Sequence, residues 1–360
     1  MRVRRLLPAL LPFLFIAFDA AAAPAQTPTP MPAYVAHAQL TGTLRIRGDY
    51  HQRAMLSNWE REFAKFQPGI RFENNLTSTV HGIPALVFGL ADIALLGREI
   101  APLENLAFRR MFRYDPLDVA TATGSFDTPY QAFALGVFVN HSNPLTQLTL
   151  EQVAAVFGCG PGRNLRTWGQ LGLTGRWASK AIHVLGYPSD NNIAAFFELK
   201  VLDAGDPTGE ADTSAGGPTL PSGARWNCDL KEYANTYDSH DRPVVSSDAF
   251  MMRDLGADPY AIAYSGIAEK TVEVKPLALA VRSGSPFIPF TREAVADRSY
   301  PLTRTMYAYM NKAPGRPLDP AVAEFLKFIL SREGQEAVVQ QKIFLPLTAV
   351  AVAEQRKKIQ

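Results

Sequence analysis

Residues 43–96, TLRIRGDYHQRAMLSNWEREFAKFQPGIRFENNLTSTVHGIPALVFGLADIALL, decide the fold class. Leu44 and Ile46 alternate with polar neighbours as a short strand. Gly48-Asp49-Tyr50 then turns the chain into a helix with Leu56, Trp59, Phe63 and Phe66 on one face. Pro68 and Gly69 end that helix, and a second strand runs from Ile70 to Phe72. A polar loop holding Ser78, Thr79 and His81 leads into a helix from Gly82 to Phe88 and a strand from Asp92 to Leu96. Strand and helix in alternation predict an α/β fold, a mixed and mainly parallel sheet flanked by helices. Ligands of such sheets sit beyond the carboxyl ends of the strands.

Upstream, Arg2, Arg4 and Arg5 precede an apolar run from Leu6 to Phe18 and a small-residue stretch from Ala20 to Ala25. That pattern reads as a secretory signal peptide over 1–25, too short to span a bilayer. No cysteine sits there to take a lipid, so the expected product is a soluble periplasmic chain and not a lipoprotein. A Pro- and Thr-rich leader over 26–38 follows, lacking apolar periodicity.

Removing 1–25 takes away three arginines and one aspartate, so 36 basic and 34 acidic residues become 33 and 33. A balanced chain has no general attraction for nucleic acid or anionic membrane, and whatever it binds is held by a local site. The remaining 335 residues exceed what one core usually serves, which predicts two lobes.

A second block opens with the apolar run Ala132 to Val139 and contains a helix whose Thr149 and Gln152 fit a capping box. Further on it predicts a strand from Ile182 to Leu185, a helix from Asn192 to Leu202, and a surface excursion over 203–226. A third block returns with strands at Leu277 to Val281 and Thr305 to Met310, then a helix capped by Asp319 with Pro320 in its first turn. Cys159 and Cys228 are the two cysteines, and in an oxidising compartment they are expected to pair.

Several stretches resemble the phosphate-binding periplasmic solute-binding proteins of ABC importers, which have the type II periplasmic-binding-protein fold. Ala261-Ile262-Ala263-Tyr264 is similar to that family's AIGY segment. Tyr300-Pro301-Leu302-Thr303-Arg304 resembles its YPLTR strand, and Leu330-Ser331-Arg332-Glu333-Gly334-Gln335 its LSxEGQ helix. The resemblance implies two lobes, the first from 39–128 and 272–360 and the second from 129–271, joined by a two-strand hinge. It further implies a monomer that closes on phosphate or a related small anionic or polar solute and delivers it to an inner-membrane ABC permease. A related accessory or sensory protein with a changed ligand or a protein partner is the alternative.

The resemblance places the ligand at three loop-to-helix junctions: Gly48-Asp49-Tyr50, Ser78 to Gly82, and Tyr187 to Asn192. Helix starts offer unpaired N–H groups to an anion. Arg98 matches the family's DIAxxSR segment, so it is a candidate bidentate ligand, or else it pairs with Glu99 or Glu104. Thr79 aligns with the family's ligand-binding serine and Ser78 is its neighbour, with helix capping as the other reading of both. His81 is either a solvated loop residue or a source of pH dependence. Ser246 and Ser247 read as turn caps.

Two departures stand out. Asp49 replaces a serine before the first helix, where a carboxylate would cap the helix and repel an anion. In the second lobe an arginine followed by Ser-Gly-Thr becomes Tyr187 followed by Asn191-Asn192-Ile193, so a phenol and two amides replace a cation and small donors. Tyr50 and Tyr187 could stack across the cleft or pack at loop edges. No GxSxG, HExxH, P-loop or dinucleotide fingerprint occurs, which predicts a binding protein without cofactor, metal or catalytic residues. A hydrolase assembled across the cleft is what a residue list leaves open.

Overall fold

In the computed structural model, residues 30–36, 38–129, 131–159, 165–189, 191–202, 225–226, 229–234, 236–237 and 243–360 are described. The expected signal peptide, most of the 203–226 excursion and Cys228 lie outside them, and so therefore does the Cys159–Cys228 pairing. Among the described residues, no helix is long and apolar enough to cross a membrane.

The first lobe follows the alternation of its sequence: β1 (Gly42–Gly48), α1 (Arg53–Phe63), β2 (Ile70–Leu76), α2 (Gly82–Val87), β3 (Ile93–Leu96), α3 (Pro102–Phe112) and β4 (Leu117–Thr123). The second carries β5 (Gly136–Asn140), α4 (Leu150–Phe157), β6 (His183–Gly186), α5 (Asn192–Phe197), β7 (Lys231–Glu232), α6 (Ser247–Ala257), β8 (Ala261–Ser265), β9 (Val274–Pro276) and α7 (Arg292–Ala296). The chain then returns with β10 (Thr305–Met310), α8 (Pro320–Ile329), α9 (Arg332–Gln340) and α10 (Ala349–Lys358). The sheets have the orders β2-β1-β3-β10-β4 and β7-β6-β8-β5-β9. In the first, β1 is parallel to β2 and β3 while β10 is antiparallel to β3 and β4. In the second, β6 is parallel to β7 and β8 while β5 is antiparallel to β8 and β9.

Local signals account for most element ends. Thr149 caps α4 by accepting from Gln152 N–H, and the Gln152 side chain accepts in return from Thr149 N–H at 2.9 Å. Asp319 accepts from the Ala321 and Val322 amides ahead of Pro320. Helix α1 buries Met55, Leu56, Trp59 and Phe63 against α8 and α9, and burial of each large side chain contributes about 1.5–3 kcal/mol. The Trp59 Nε1–H donates to Gly334 O at 2.8 Å, and a Cβ on Gly334 would lie 2.1 Å from Phe328 O, so this position admits only glycine.

Two expectations differ from what is seen. The leader was expected to stop short of the fold at 38, yet Tyr34 is buried against Phe63, Phe66 and Phe328, and its hydroxyl donates to Glu324 at 2.9 Å. Aromatic docking of a single side chain leaves no periodic trace. The return to the first lobe was expected at 271/272, but Leu277, Leu279, Phe290, Val295, Tyr300 and Leu302 belong to the second lobe's core. Antiparallel pairing of β9 with β5, and a bond from Leu277 N–H to Val137 O, hold that stretch on the second sheet. The crossing falls at Thr303–Arg304. Its partner is the outgoing crossing between β4 and β5: Gly124 N–H donates to Arg304 O at 2.8 Å and Leu135 N–H to Leu302 O at 3.1 Å.

Gly48 ends β1 at φ +135°, where an added Cβ would lie 2.0 Å from Leu95 O on β3. Gly48→Ala should therefore destabilise the chain by about 3 kcal/mol in urea unfolding, since both the backbone region and the space exclude a side chain. An unchanged midpoint would show that the β1–β3 register is free to shift there.

Candidate functional site

The parallel strands of the first lobe end together. Gly48 is in register with Leu76 of β2 and Leu95 of β3, and a Cβ on Gly82 would come 3.7 Å from the Gly48 Cα. Just beyond β3, a Cβ on Gly97 would meet Asp49 Oδ2 at 2.4 Å, so the Asp49 carboxylate lies directly over Gly97. The junctions at Gly48–Tyr50 and Ser78–Gly82 thus form one surface at the carboxyl edge of the sheet.

Asp49 is 3% exposed and caps the short 3-10 turn that follows it. Its Oδ1 accepts from His51 N–H at 3.1 Å and lies 2.8 Å from His51 Nδ1. Burial pushes this carboxyl up, but the His51 bonds and charge, with Arg304 nearby, outweigh it and hold the group below its ordinary value. Tyr50 is half exposed, its ring 3.9 Å from that of His51. Ser78 precedes the 3-10 turn Thr79–His81 without a side-chain cap bond, Thr79 is buried, and His81 is exposed with Nδ1 2.7 Å from Thr77 Oγ1.

Arg98 is buried and spent. Its Nη1 and Nη2 donate to the two oxygens of Glu104 at 2.8 and 2.9 Å, and Nη1 also donates to Glu99 O. Burial alone would lower its pKa, yet Glu104 raises it. Of the two readings open from sequence, the arrangement is the ion pair with Glu104, which also accepts from Ala101 N–H at the start of α3.

In the second lobe Tyr187 is fully buried. Its hydroxyl bonds Asp248 and lies 2.8 Å from Ser265 Oγ, which in turn donates to Asp248 at 2.7 Å. Its ring packs edge-on against Tyr264, so Tyr50 and Tyr187 each have a partner other than the other. Asn191 caps α5 by accepting from Ile193 N–H at 2.7 Å, and Asn192 is exposed at the helix start. Ser246 caps α6 by accepting from Asp248 N–H, and Ser247 is buried in its first turn.

Side chains around Arg304 and Glu99 meet where the lobes face each other. Lys200 Nζ lies 2.5 Å from Glu99 Oε1, Arg304 Nε–H donates to Gly97 O at 3.0 Å, and the Arg304 guanidinium sits 4.9 Å from the ring centroid of Phe196 on α5. Sequence reading quoted Arg304 only as part of the YPLTR stretch and passed over Asp248. A strand-edge arginine gives no signal of burial until its neighbours are known.

A profile of the PBP superfamily domain matches residues 34–333. The chain belongs to the PBP superfamily. Within that superfamily it is 31% identical over 362 residues to the phosphate-binding protein PstS of Pseudomonas aeruginosa, across 99% of both chains. Protein SphX of Synechococcus elongatus is 23% identical over 296 residues, 82% of this chain and 75% of that protein. Two solved structures share the two-lobed fold. PstS from Borrelia burgdorferi has a TM-score of 0.55 at 17% identity over 85% of this chain and 98% of that one. An ABC-type phosphate transport receptor from Vibrio cholerae has a TM-score of 0.53 at 18% identity, over 85% and 100%.

For this PBP superfamily member the pairing of Arg98 predicts a stability effect. Arg98→Ala would strand the Glu104 carboxylate, so unfolding free energy should fall by about 3 kcal/mol. A denaturant midpoint equal to that of the parent would show that Glu104 is solvated in solution.

Asp248 yields a second expectation. Burial pushes it up to about 6, with Glu269 adding repulsion and Ser265 pulling it back down. Between its ordinary 3.8 and about 6 the native chain holds a proton that the unfolded chain has released, so stability falls as pH rises through that window. Asp248→Asn should remove that slope, worth on the order of 3 kcal/mol. Parallel stability profiles of parent and variant between about pH 4 and 6.5 would show that Asp248 titrates normally.

Proposed function

We propose that this chain is a periplasmic solute-binding protein that captures phosphate, or a closely similar tetrahedral oxyanion, between its lobes and passes it to an ABC importer in the inner membrane. The observation that carries the reading is the end-to-end identity of 31% with a phosphate-binding PstS protein. The geometry supports it. The carboxyl end of β3 at Gly97 and helix α5 at Phe196 flank the same guanidinium, so the facing surfaces of the lobes enclose a positive centre. On this reading the chain is secreted with its signal peptide removed, acts as a monomer, and binds without carrying out chemistry. Ligand favours the closed arrangement through contacts made only when the lobes are together.

One observation favours a second reading, a related accessory or sensory protein with another ligand. Tyr187 is buried with its hydroxyl bonded to Asp248 and Ser265, so the residue that stands where the family has an arginine offers no free donor to an anion. Calorimetric titration of the ligand-stripped 26–360 chain separates the two. Phosphate should bind with a Kd of about a micromolar or tighter, more tightly than sulfate. No heat with phosphate, sulfate or organic phosphates would overturn the first reading in favour of the second.

A further inference from the structure

Resting on the oxyanion-capture reading, we propose that Arg304 is the residue that anchors the anion, gripping two of its oxygens with the terminal nitrogens of the guanidinium from within the hinge. Three observations point there. The residue is 6% exposed, and its backbone is fixed by the bond from Gly124 N–H to its carbonyl. Space is tight around the stem, since a Cβ on Gly124 would lie 2.9 Å from the Arg304 Cβ. The head is held on both sides, by Gly97 O on the first lobe and by the Phe196 ring on the second.

What remains is unspent. A guanidinium has five N–H donors, and here Nε–H alone bonds protein among the described residues. Asp49 and Glu99 lie close enough to favour the charged form, but neither forms an ion pair with it. Asp49 Oδ1 is taken by His51, and Glu99 Oε1 by Lys200 and Tyr307. Terminal nitrogens with no partner among the described residues leave bonding capacity that an anion entering between the lobes would use. The fork matches two oxygens of a tetrahedral oxyanion, which a point charge does not. Burial lowers the Arg304 pKa only to about 10, so the side chain is cationic at neutral pH. Arg98, by contrast, has both terminal nitrogens on Glu104.

The test compares parent, Arg304→Lys and Arg304→Gln chains in phosphate titrations, each first checked by its melt without ligand. Affinity should fall by at least about 100-fold with glutamine and about 10-fold with lysine, which keeps charge but loses the fork. If the glutamine variant does not fold, the lysine variant decides. An Asp49→Asn/Arg304→Gln chain addresses the competing role of counter-ion to Asp49: restored phosphate affinity would overturn the proposal, and persistent loss supports it. Parent protein that binds no oxyanion removes the capture reading and this one with it. Parent protein that binds phosphate while both single variants stay within about threefold removes Arg304 alone.

Discussion

Two backbone hydrogen bonds, from Gly124 N–H to Arg304 O and from Leu135 N–H to Leu302 O, hold the outgoing and returning crossings side by side. They bring the chain back beside its own exit, so that β10 enters the first sheet between β3 and β4 after the whole second lobe has been formed. The same pairing sets the distance between lobes whose cores are otherwise separate. Gly124 is part of the constraint: any side chain there would collide with Ala132 O and with Arg304. A hinge this narrow lets two independently packed bodies move while their facing edges stay aligned.

What sequence can read follows from the range of the forces involved. Strand and helix periods, the Thr149–Gln152 capping box and the Asp319 cap are set within a few residues, and each appears where the chain itself announces it. The carboxyl edge of the first sheet was legible for the same reason, since Gly48 and Ser78 to Gly82 are junctions by composition. Legibility ends where a partner is distant in sequence. Tyr34 needs Glu324, the stretch from Val274 to Leu302 needs β5 and its neighbours, and Arg304 needs Gly97 and Phe196. Arg98 is instructive because its partner is only six residues away. Both readings of it were open, and spacing alone could not say which way the guanidinium turned.

The charges of the cleft form a ranking by commitment. Arg98 is neutralised by a bidentate carboxylate, Lys200 by Glu99, and Asp49 is occupied by His51. The Arg98–Glu104 and Lys200–Glu99 pairs are electrically closed and give a passing anion little to gain. Neither terminal nitrogen of Arg304 bonds protein among the described residues, although the side chain is as buried as that of Arg98. In a low-dielectric setting an uncompensated charge dominates the local field far more than a compensated pair does.

The second lobe completes this picture by what it withholds. Its loop after β6 turns Tyr187 inward to Asp248 and Ser265, and aromatic packing of Tyr264 on Phe197 at 3.9 Å secures the wall behind it. The Tyr187 hydroxyl, which could have faced a ligand, is consumed in holding that wall. The lobe therefore meets the hinge mainly with the Phe196 ring and the Lys200 ammonium. A ring over a guanidinium excludes water without competing for its in-plane N–H donors, and excluding water strengthens every bond those donors make. On the proposed reading, charge recognition belongs to the hinge and the first lobe, and the second lobe acts as the cover that makes it strong.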